Sequence, residues 1–171
     1  MRACWLMLLW VVAMPAMAGV PDLVGKTMPP YPQGLRDVGG TCLSDVPGTE
    51  HVCDYSIGML ADAGGDPEAE AVIRYVIAGK LAGRDGPLAL WKITDAKPYP
   101  RSRSGYFWQA GSCRVDKRSD ANVVAVVRQA SDQEYLADVI WAQRLDLASG
   151  KFTALDTSHV DCVNEGYGEG P

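Results

Sequence analysis

The chain predicts an all-β fold, a single-domain antiparallel meander forming a small sandwich or barrel of about seven strands stapled by two disulfides. Two observations carry that expectation. From Cys42 onward, apolar runs rich in β-branched and aromatic residues recur, and clusters of Gly, Pro, Asp and Ser separate them at short spacing. Four cysteines, Cys42, Cys53, Cys113 and Cys162, follow an N-terminus that reads as a leader.

That N-terminus, MRACWLMLLWVVAMPAMAG, places Arg2 before an apolar run from Trp5 to Met14, then Pro15 and the small-x-small triplet Ala16-Met17-Ala18. Charge, short apolar region and small residues in this order predict a signal peptide over residues 1–18, cleaved after Ala18. The run is about half of the ~20 residues that cross a bilayer as a helix, so no transmembrane anchor is expected. Cys4 precedes the apolar run and is badly placed to carry a lipid. The expected location is therefore exported, periplasmic or secreted. What remains is enough for one domain with its own core, and no cofactor is expected. The net charge of −5 becomes one unit more negative when Arg2 leaves. An acidic chain argues against nucleic acid or an anionic membrane as the main partner.

Residues 19–41 form a Pro/Gly-rich N-terminal arm with Pro21, Pro29, Pro30 and Pro32, extended or looped on the domain. Within it MPPYPQG reads either as an exported linker or as a polyproline-type ligand for an aromatic groove. Residues 42–163 form the β-rich domain. Strands are expected near 51–60, 71–82, 87–96, 105–115, 122–130, 137–147 and 151–155. In the second run Ile73, Tyr75, Ile77 and Leu81 share one face and Arg74 and Lys80 the other; in the third, Trp91 and Ile93 alternate against Lys92. NVVAVV is apolar on both faces and predicts a central strand. Around residues 131–140 two patterns compete. Ser131 and Glu134 stand in capping-box spacing before a helical pattern, while Val139, Trp141, Leu145 and Leu147 read as a strand that turns at DLASGKF into FTAL. A short turn or helical start followed by a strand fits best. Residues 164–171 form a flexible acidic tail.

An even cysteine count in an exported chain points to disulfides, and four cysteines allow three pairings. Cys42–Cys53 with Cys113–Cys162 is favoured: the first closes a loop rich in turn formers, and the second ties a middle strand to the last segment. Each contributes about 3–4 kcal/mol by loop-closure arithmetic. The two histidines stand beside these cysteines, in HVCD and HVDC. Their spacings, His51-x-Cys53 and His159-x-x-Cys162, are compatible with zinc but unspecific, and a disulfide sulfur is no thiolate ligand, so framework cysteines with surface histidines nearby are expected. Ser56, His51 and Asp54 form a triad only on paper, because a triad is a geometry. No nucleophile elbow, metalloprotease helix or phosphate loop is present. Asp66, Glu68 and Glu70 read as a solvated turn.

The segment KPYPRSRSGYFWQ stands out in an acidic protein. Tyr99, Arg101, Arg103, Tyr106 and Trp108 combine guanidinium groups with aromatic faces, the side chains enriched at protein-binding hot spots. Arg74, Lys80, Lys92, Arg128 and Arg144 suggest a shared positive outer face. The expectation is a non-enzymatic exported binding protein, an inhibitor or immunity partner of another envelope or secreted protein. The alternatives are an exported hydrolase or metal-binding protein using His51, Asp54 and His159, or a structural envelope component. Intact mass after alkylation checks the framework: all four mature cysteines should stay unlabelled until the protein is reduced.

Overall fold

The computed structural model describes residues 22–46, 51, 53–64, 71–101, 103–130 and 132–168. The expected leader, Asp66, Glu68, Glu70 and Ser131 lie outside them. In chain order the strands are β1 (Thr27–Met28), β2 (Leu35–Leu43), β3 (Tyr55–Asp62), β4 (Ile73–Asp85), β5 (Leu88–Pro98), β6 (Tyr106–Ala110) and β7 (Cys113–Val115). There follow β8 (Arg118–Ser119), β9 (Val123–Arg128), β10 (Tyr135–Leu136), β11 (Val139–Asp146), β12 (Lys151–Ala154) and β13 (Val160–Val163). All pairings among them are antiparallel, and they make a first sheet in the order β1-β5-β4-β3-β2, a second in the order β12-β11-β9-β6 and a third in the order β10-β13-β7-β8.

The all-β expectation holds, and the sheets stack as a sandwich without closing into a barrel. The count exceeds seven partly because the run at 105–115 is two strands. Gly111 takes φ +85°, and the chain leaves β6 in the second sheet to enter β7 in the third. Two short hairpins behave as their residues demand. Gly86 at φ +57° and Pro87 turn β4 into β5, and Asp146 accepts the amides of Ala148 and Ser149 to turn β11 into β12. Residues 132–140 hold β10 and the start of β11 and no helix, so the strand reading prevails there.

The second sheet is the middle layer. In β9 the residues Val123, Val124, Ala125 and Val127 have no exposed surface and Val126 has 3%. Val124, with Leu145 and Phe152, packs against Ile57, Met59, Val76 and Ala78 of the first sheet. Val123, Ala125 and Val127 face the other way, onto Cys113, Leu136, Val160 and Cys162 of the third sheet. A strand apolar on both faces thus finds a cover on each.

The arm lies on the domain, and its MPPYPQG segment is no linker. Leu35 to Thr41 already belong to β2, β1 pairs with β5, and Leu23, Met28, Tyr31 and Leu35 pack on Leu60, Ile77 and Ile93 across the outer face of the first sheet. Met28, from the segment read as a polyproline ligand, is 1% exposed. The first sheet is therefore covered over part of both faces, and the alternation read along β4 breaks. Ile73 joins the sandwich core, whereas Tyr75 and Ile77 lie under the arm. The cause is a register shift in the β3/β4 ladder, where Leu60 faces Tyr75 but Ala61 faces Ile73.

Both favoured disulfides form, Cys42–Cys53 and Cys113–Cys162. Beside the second, Arg114 donates two hydrogen bonds to Asp161, at 2.7 and 2.9 Å, with Lys117 as a third donor. Burial opposes ionisation of Asp161, but the hydrogen bonds from Arg114 and Lys117 outweigh it and hold its carboxyl below the usual range. The Arg114 guanidinium also lies 3.2 Å from the Tyr135 ring centroid, which ties β10 to the same pair.

One long side of the sandwich is stitched shut. Asp95 of β5 is buried and accepts the Phe152 amide of β12 at 2.8 Å; Lys151 donates to the Thr94 carbonyl; and Gly150 comes so close that a Cβ there would meet Thr94 Cβ at 2.9 Å. Replacing Asp95 with alanine strands the Phe152 amide between the sheets. Chemical denaturation should show a loss of about 2 kcal/mol for Asp95→Ala, and a change within about 0.5 kcal/mol for the half-exposed Lys97→Ala.

Candidate functional site

The edge strands β2 and β6 run along the opposite side of the sandwich. Period-two geometry sends Tyr106 and Trp108 of β6 to one face. There they meet Tyr99, which follows β5, and Val38 and Ile73, around a cavity of about 210 Å³. The Tyr106 hydroxyl donates to Asp138 at 3.0 Å, and the Arg103 guanidinium lies 6.0 Å from the Tyr106 ring centroid. Trp108 packs on the sandwich core and reaches under β2, within 3.9 Å of where a Gly39 Cβ would sit. Arg101 and Arg103 are exposed and form no ion pair among the described residues. Tyr99, Tyr106 and Trp108 thus share one cavity and Arg103 lies by its rim, while Arg101 stands on the same loop.

The positive outer face does not assemble. Arg74 pairs with Asp62, Arg128 approaches Asp138 at 3.8 Å, Arg144 pairs with Asp120, and Lys80 lies over the Tyr55 ring at 5.6 Å. Arg74, Lys80 and Lys92 belong to the first sheet, Arg128 and Arg144 to the second.

Each histidine has its own carboxylate. His51 Nδ1 lies 2.8 Å from Asp54 Oδ2, and His159 Nδ1 lies 2.6 Å from Asp116 Oδ1. Among the described residues no three His, Cys, Asp or Glu side chains are placed to hold a metal ion, and Ser56 makes no hydrogen bond to His51. The second contact has a local reason. Asp116 and Lys117 form the two-residue turn between β7 and β8, with φ of +49° and +65°, a conformation costly for residues other than glycine. His159 holds Asp116 through its side chain and through its carbonyl, which accepts the Asp116 amide at 2.9 Å, while Lys117 reaches Asp161. His159 clasps a strained turn.

A second concavity lies on the outer face of the first sheet, where the arm stops short. Gly40, Gly58, Ser56 and Ile77 form its floor, and Tyr31 and Trp91 line it. Asp37 accepts the Tyr31 hydroxyl at 3.1 Å and the Gly39 amide at 2.9 Å. Burial, reinforced by Asp37, pushes the Tyr31 phenol up to about 12. The sequence pattern missed this site because Tyr31 and Trp91 are brought together only by the pairing of β1 with β5; the one local signal was the run of glycines beside Asp37.

No family model, curated protein or solved structure matches the chain.

The hydrogen bond and charge of Asp116, with Asp156 adding to them, raise the pKa of His159 above its ordinary 6.5. A raised histidine stabilises the fold below its ordinary pKa, and that contribution disappears as pH rises through the shifted value. Proton NMR should place the His159 midpoint above 6.5, and Asp116→Asn should bring it down. An unchanged midpoint in the variant would remove the clasp.

Proposed function

We propose that this chain is a non-catalytic exported binding protein that meets another exported protein through its β2/β6 edge, in the manner of an inhibitor or immunity partner. The observation that supports the reading is the joining of Tyr99, Tyr106 and Trp108 around one cavity beside two exposed arginines. Aromatic rings anchored by the core offer contact area with little entropy left to lose, and guanidinium groups that form no ion pair among the described residues can take a carboxylate from a partner. A partner segment carrying Asp or Glu next to an apolar side chain matches that surface. Two disulfides suit an oxidising compartment, which is where such a partner would be met.

The arginines are the informative residues to change. Tyr99 and Trp108 also support the sandwich core, so truncating them mixes folding with binding. Arg101→Ala with Arg103→Ala should leave the unfolding free energy within about 0.5 kcal/mol. The same double variant should weaken capture of a partner from the exported fraction of the producing cells by about 30-fold or more, the scale of a binding hot spot. Undiminished capture by a variant of normal stability would exclude this edge as the binding surface.

A further inference from the structure

The cleft on the outer face of the first sheet has a chemistry of its own, independent of the β2/β6 edge. Its floor is backbone. Gly40 faces Gly58 across β2 and β3, and Gly58 faces Ile77 across β3 and β4. A Cβ on Gly58 would come within 3.3 Å of Ile77 Cγ1, and one on the neighbouring Gly79 within 2.7 Å of the Ser56 hydroxyl. Side chains at these positions would fill the space or push its walls aside. Met28 and Tyr31 enter from the arm and Trp91 from β5, leaving a cavity of about 180 Å³. An engineered apolar cavity of about 150 Å³ already accepts a ring the size of benzene.

Asp37 is the only charged side chain that lines this cleft among the described residues. One of its oxygens is held by Tyr31 and the other by the Gly39 amide, so the carboxylate is fixed at the cleft. No Lys, Arg or His lines the cavity, and Asp37 forms no ion pair among the described residues. An anion would be repelled here. A calcium ion would find one carboxylate where it needs six to eight oxygens. A purely apolar solute would draw nothing from the carboxylate. What remains is a cation with an apolar skin, which a carboxylate and two electron-rich rings attract together.

We propose that the cleft binds the head of an organic ammonium, a tertiary or quaternary amine whose methyl groups lie against Tyr31 and Trp91 while its charge faces Asp37. The shared chemistry is that of a free amine solute and of a choline lipid head.

Choline chloride is the probe, added at constant ionic strength to isotope-labelled protein and followed by NMR at the Gly40 and Gly58 amides and the Trp91 indole. Saturable shifts confined to the cleft are expected. The neutral isostere 3,3-dimethyl-1-butanol should bind roughly tenfold more weakly. Asp37→Asn keeps an oxygen for the Gly39 amide and should lower choline affinity by a similar factor. Equal affinity for the neutral isostere, an unaffected Asn variant of normal stability, or no saturable shift would each overturn the proposal. Phosphatidylcholine vesicles distinguish the sources: cosedimentation that choline reverses identifies a lipid head, and choline binding without cosedimentation identifies a free solute.

Discussion

Because β9 carries no polar side chain from Val123 to Val127, the ladder that holds it must have a layer on each side. Burying one valine is worth roughly 1.5–2 kcal/mol before entropy is counted, and leaving either face wet would forfeit about half of what the strand offers. The first sheet answers one face with Ile57, Met59 and Val76, and the third answers the other with Leu136, Val160 and the Cys113–Cys162 bridge. The placement of the remaining elements follows. The third sheet is small, so a disulfide and the Arg114–Asp161 pair anchor it; the first is large, so its second face needs the N-terminal arm.

The two open features of the surface are consequences of that stacking. One long side is closed by the Asp95 stitch, and the other carries the aromatic side chains of Tyr99, Tyr106 and Trp108. On the outer face of the first sheet the arm covers Leu60, Ile77 and Ile93 and stops short of Gly40 and Gly58. The binding candidates thus occupy places where burial is incomplete; the cleft joins side chains from distant parts of the chain, whereas Tyr99 to Trp108 form one loop and the strand after it.

Much of the strand content was legible because it is local. Alternating apolar residues, turn clusters and the doubly apolar run of β9 each declare themselves within about ten residues. The disulfide pairing was legible for the same reason at Cys42–Cys53, which left Cys113 and Cys162 to tie a middle strand to the last segment, whose strand β13 was not foreseen. Register shifts were not. The break between Leu60 and Ala61 moves Ile73 to the opposite face from Tyr75 without altering the sequence pattern. The burial within MPPYPQG was not legible because prolines exclude ladder amides but do not forbid burial of the Met28 and Tyr31 side chains between and beside them. Of the sites, the Arg/aromatic loop showed in composition, whereas the cleft of Tyr31, Asp37 and Trp91 depends on pairing across the sheet. The turn-holding role of His159 was not legible, because sequence proximity to a cysteine says nothing of Asp116, its actual neighbour.

The register shift between Asp37 and Gly40 bears on how β2 meets other chains. A long unpaired edge is a template for further strands and hence for aggregation. Here the ladder slips beside an exposed Asp37, with Gly39 at φ +115° and its amide turned to that carboxylate. An incoming strand cannot keep one continuous set of backbone hydrogen bonds past this point. The edge can therefore stay uncovered without growing into a larger sheet.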